Sequence, residues 1–189
     1  MNRQSKTSQA EGLLPNQIKL LHMLRRFWAE HALWTRSYLI SAVNELNDLT
    51  AVSERLLRNP KDFSTIFSAL YGDTVAYGLE TLLTDHSLIA IQVMAAAKRG
   101  DEETVAQLRN RWYENAGKLA DFLGGINPHW SGDAWRTMLE EHLEMTEDQI
   151  AHVLAGRAED GIARFEAALE LSFRMGDEMA GGIFKQFKI

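Results

Sequence analysis

The chain has 189 residues, 46% hydrophobic and 24% charged, values ordinary for one globular domain and too apolar for a disordered chain. Twenty basic residues stand against 26 acidic ones, a net charge of −6, which argues against nucleic acid and anionic membrane surfaces as partners. With no cysteine, disulfides, thiolate nucleophiles, thiolate metal sites and iron–sulfur clusters are excluded, and a reducing compartment fits.

Met1 to Pro15 is polar and reads as a flexible tail, not a secretory signal. No stretch approaches the about 18–20 apolar residues that a membrane helix needs. The expectation is a cytoplasmic protein with one domain over residues 16–189. Helical spacing dominates, and no period-two alternation flanked by turn signals predicts a strand.

The first long helix is expected from about Asn16 to Asn47, with Leu20, Leu24, Phe27, His31, Tyr38 and Ala42 along one face. A connector follows, with a short helix near Ala51–Arg58 and a second begun by Asn59-Pro60 and ended by Gly72. The next long helix runs from Asp73 to about Arg99, its stripe including Leu79, Leu83, His86 and Val93, and Gly100 ends it. Asp101-Glu102-Glu103 opens the third, which buries Leu108, Trp112, Asn115 and Leu119 and stops at Gly124-Gly125. Ser131 caps the fourth, with Trp135, Leu139, His142 and Ile150 inward. The fifth starts near Ala158, and Gly176, Gly181 and Gly182 either weaken its end or admit close helix contact. Short turns make antiparallel neighbours. The predicted fold is all-α: an up-and-down bundle of four to five long antiparallel helices, with a short-helix crossover, Asp48–Gly72, at one end. That crossover and the turn Gly124–Ser131 should share the end and gather Arg55, Arg58, Lys61, His129 and Trp130.

Six histidines fall into two kinds. His22, His129 and His152 read as surface residues. His31, His86 and His142 each sit inside the apolar stripe of a different long helix, where a ring nitrogen needs a partner. Their heights can be compared, because antiparallel helices rise equally from a shared turn. By that reckoning His31, His86, Asn115 and His142 occupy one layer, with Glu166 or Glu170 near its edge. Each of the three histidines also follows an acid, in Glu30-His31, Asp85-His86 and Glu141-His142. Those acids flank the stripe and are placed to bind a metal or orient an imidazole on a neighbouring helix. Three imidazoles with carboxylates suit a divalent metal such as Zn, Fe, Mn or Ni.

Several phrases resemble an uncharacterised family of small bacterial all-helical proteins: LRRFWAEHALWTR (Leu24 to Arg36), LRNPKDF (Leu57 to Phe63), LLTDHSLIA (Leu82 to Ala90), RWYEN (Arg111 to Asn115), GINPHW (Gly125 to Trp130) and MLEEHLEMT (Met138 to Thr146). Some relatives carry the label acetylglutamate kinase. That activity needs alternating strands and helices with glycine-rich phosphate loops, and this chain has neither. The chain is more loosely similar to DinB-like and ferritin-like metal-binding bundles. That similarity implies His31, His86 and His142 as ligands, although the ferritin-like Glu-x-x-His spacing is missing.

The reading is therefore a metal-binding helical bundle, either a metal-dependent enzyme or a sensor. His31, His86 and His142 are the ligands, and Glu30, Asp85, Glu141 and Asn115 are orienting groups or further ligands. The alternative is a non-catalytic interaction protein, a homo-oligomer or a small-molecule binder, whose histidines are hydrogen-bonded core residues. Leu33, Leu88 and Ile91 would then contribute to a helix-face interface.

Overall fold

A computed structural model describes residues 12–189, so most of the expected tail lies outside the described residues. The described residues form six helices: α1 (Pro15–Val43), α2 (Leu49–Tyr71), α3 (Asp73–Lys98), α4 (Glu102–Ile126), α5 (Gly132–Leu154) and α6 (Ala158–Phe187). Among the described residues there is no strand.

The expected crossover is instead a full helix. α2 runs straight through Asn59-Pro60 for 23 residues, although proline removes an N–H and crowds the preceding turn. Packing overrides that local penalty. Leu56, Phe63 and Phe67 are fully buried on one face of α2, and Phe63 meets Phe27 and Trp28 of α1 at ring separations of 5.4 and 5.1 Å. Burying each such side chain contributes about 1.5–3 kcal/mol, comparable with the proline penalty of ~3 kcal/mol. Only Pro15 stands at a helix start, while Pro128 lies in the turn before α5. α4 likewise continues through Gly124-Gly125 to Ile126.

Other boundaries follow local chemistry. Asp101 Oδ1 accepts from Thr104 N at 3.1 Å to start α4, and Ser131 Oγ accepts from Ala134 N at 3.2 Å to start α5. Gly100 and Gly156 take positive φ after α3 and α5, as does the single-residue hinge Gly72 between α2 and α3.

Contacts between neighbours run in opposite numerical directions, so each sequential pair is antiparallel. Phe27 meets Asn59 and Glu30 meets Arg55; Leu82 meets Asn115 and Gly78 faces Phe122; Glu141 meets Arg174 and Asp148 meets Arg164. The ring closes where α6 packs on α1. There Arg25 grips Asp177 through two hydrogen bonds of 2.5 and 2.8 Å, and Gly176 lets α6 reach the Arg25 backbone. The bundle is thus a closed ring of three helical hairpins, α1–α2, α3–α4 and α5–α6. The first helices of the hairpins, α1, α3 and α5, also touch one another across the middle.

Candidate metal centre

Those three central helices each bring one histidine to the same level. The inward position is set by large buried neighbours one and two turns earlier: Leu24 and Trp28 before His31, Leu79 and Leu83 before His86, Trp135 and Leu139 before His142. All three rings are buried. His31 lies 5.9 Å from His86 and 5.3 Å from His142, and His86 lies 5.8 Å from His142, between ring centroids. One nitrogen from each ring can be chosen so that all lie within 4.8 Å of one another. A point equidistant from three atoms at that limit is about 2.8 Å from each, against ~2.0–2.1 Å for a zinc–imidazole bond. Ring movements of under about an ångström close the difference, so the donor set fits a transition metal.

Burial governs the protonation of all three. It pushes His31 down to about 3, helped by the charge of His86 and opposed by the neighbouring Asn59 side chain. It pushes His86 down to about 4, against the opposing bond to Asn115. It holds His142 well below the ordinary histidine range, with the charges of His31 and His86 acting in the same direction. At neutral pH each ring is uncharged, with one N–H and one lone pair, the form that binds a metal.

The tautomer of His86 follows from its partner. Asn115 donates Nδ2 to the Leu82 carbonyl at 3.1 Å, which turns its Oδ1 to His86 Nδ1 at 2.9 Å. An amide oxygen only accepts, so Nδ1 carries the proton and Nε2 keeps its lone pair. Asn59 repeats the arrangement beside His31, donating Nδ2 to the Phe27 carbonyl at 2.9 Å. Its side chain stands beside the His31 ring. His142 has no such partner, and its Nε2 is buried without a hydrogen bond.

The acids next to the histidines do not join the centre. Glu30 is held by Arg55 at 2.6 Å and faces Arg26 at 3.6 Å. Glu141 is bound by Arg174 at 3.0 and 3.1 Å. Asp85 is exposed and lines an outer groove with Arg111 and Lys118. The cause is helical: neighbouring residues point about 100° apart, which turns each acid toward the outside of its hairpin. Among the described residues the group able to share an ion holds the three histidines alone. Glu166 and Glu170 are exposed.

His22 and His129 are exposed, and His152 is half-buried with Nδ1 4.0 Å from Asp160. The expected basic mouth does not assemble, because α2 spreads its residues along the bundle. Arg55 sits near the histidine level beside Glu30, and only the end of α2 meets the α4–α5 turn, through Tyr71 and Trp130 at 6.0 Å.

Asn59 is the site residue that sequence reasoning misses, because Asn-Pro reads as a helix start. The signal that reveals it is periodic: Asn59 and Asn115 are separated by nearly the same interval as His31 and His86. The chain matches no family model, no curated protein and no solved structure.

Proposed function

We propose that the protein binds one divalent transition metal, of the zinc, iron, manganese or nickel group, through His31, His86 and His142. The observation that carries this is the meeting of three buried, uncharged imidazoles from three separate helices within reach of one ion. Reading them as hydrogen-bonded core residues has the His86–Asn115 bond in its favour, but leaves His142 Nε2 orphaned at a cost of about 1–3 kcal/mol.

Three protein ligands leave a coordination position open, the arrangement of a metal-dependent enzyme or of a sensor that reads a small molecule. No Asp or Glu among the described residues is buried beside the rings, so a dication would carry its charge into an apolar core. A small anion entering with the metal would offset it. The indole N–H groups of Trp28, Trp112 and Trp135, buried near the triad without acceptors, are available donors in that region.

Elemental analysis of the purified protein tests the reading. About one metal per chain is expected, and it should vanish when His31, His86 and His142 are all changed to alanine. Stoichiometric metal that survives the triple change, or a folded wild-type chain that takes up none of the four metals, removes the proposal.

A further inference from the structure

The three hairpins follow one pattern. Their histidines recur at intervals of 55 and 56 residues (31, 86, 142), and a buried position on each second helix recurs at 56 (59, 115, 171). The outer faces keep the same register. In each hairpin the acid before the histidine lies level with the residue three beyond that buried position. Arg55 ties Glu30 to Asp62, Asp85 shares a groove with Lys118, and Glu141 binds Arg174.

At the recurring buried position the first two hairpins carry asparagine. Each donates Nδ2 to the carbonyl four residues before its histidine; Asn115 thereby turns Oδ1 to His86 Nδ1, and the Asn59 side chain stands beside His31. The third hairpin carries Leu171, fully buried and unable to accept a hydrogen bond. In that hairpin no amide stands at this position, and His142 Nε2 is buried without a hydrogen bond.

Resting on the metal reading above, we propose that Asn59 and Asn115 are positioning residues that set their histidines for coordination, and that His142, opposite Leu171, is the exchangeable ligand. The two anchored rings offer Nε2 in advance. The third must find its tautomer and rotamer at each binding event, and it is the first to let go.

Two substitutions test this. Leu171→Asn supplies the missing acceptor at nearly the same volume, and Asn115→Leu removes one that exists. Nitrogen-15 spectra of the metal-free protein should show His86 as a single Nδ1–H tautomer and His142 as a mixture, and Leu171→Asn should convert His142 to Nδ1–H. With cobalt(II) loaded and a chelator added, Leu171→Asn should slow release by about ten- to a hundredfold, and Asn115→Leu should speed it by a similar factor. Circular dichroism and thermal melting check that each variant folds. If Asn115→Leu does not fold, Leu171→Asn and the wild-type spectra still decide. A wild-type His142 already locked in one tautomer overturns the proposal, as does a Leu171→Asn protein unchanged in both spectrum and release. Failure of every folded form to bind cobalt or any of the four metals overturns the metal reading instead, and the metal-free spectra then judge the asparagine lock alone.

Discussion

Acid should unfold the metal-free protein from its centre. His31 and His86 are held at about 3 and 4 in the folded state, and His142 is also well below its ordinary value. The unfolded chain takes up protons at all three as pH falls through about 6.5, while the folded chain does not. Stability is therefore intact above that value and is lost as pH falls toward the folded values. At pH 5 the solution is about 1.5 units below the unfolded pKa, so keeping His31 and His86 unprotonated costs about 2 kcal/mol each at ~1.36 kcal/mol per unit. These two rings together remove about 4 kcal/mol and His142 acts in the same direction, a loss that bears heavily on the ~5–15 kcal/mol that holds an ordinary domain together. Urea midpoints measured with a chelator present at pH 7, 6 and 5 should fall steeply, and unfolding at pH 5 should be accompanied by uptake of about two protons or more at these rings. Uptake of less than about one proton would show that the rings are charged or solvated in the folded protein, and the reasoning about burial would be wrong.

Metal affinity should be unusually insensitive to pH. The folded rings hold no proton to displace, so affinity for cobalt(II) should vary by no more than about threefold between pH 7.5 and 6, whereas three ordinary histidines would lose about fiftyfold. Titrations at those two values separate the cases. Two glycines of α6 should respond oppositely to alanine. A Cβ at Gly176 would stand 2.7 Å from Arg25 Cα, so Gly176→Ala should lower stability by about 1–3 kcal/mol. Gly181 has nothing within 4 Å, and Gly181→Ala should raise stability by roughly 0.5–1 kcal/mol. Thermal melting of the two variants checks both signs, and equal shifts would refute the close approach of α6 to α1.

Much of the fold is legible in the sequence because helix ends are local events. Ser131, Asp101 and Gly100 act within their own turns and mark boundaries where expected. Pro60 and Gly124-Gly125 mislead for the converse reason. Their local preference for a break is outweighed by contacts with other helices that no window of sequence contains. The shared level of His31, His86 and His142 is legible from counting residues back to each turn. The fate of Glu30 and Glu141 is not, because their arginines, Arg55 and Arg174, lie on the next helix. The repeated acid–histidine pairs are a true regularity whose meaning differs from the expected one. They trace the outer face of a thrice-repeated hairpin, where Glu30 and Glu141 bind across that face and Asp85 lines a groove on it, instead of turning toward the rings.

The seam between the last helix and the first has its own consequence. Gln17 Nε2 donates to the carbonyl of Ile189 at 2.6 Å, so the start of α1 and the final residue meet. A peptide linker could join them, and the chain could be cut instead at Gly72, between the first hairpin and the second. Such a permuted protein would make its hairpins in the order second, third, first. Because every hairpin delivers its imidazole to the same middle, the order of synthesis should not matter to the finished centre.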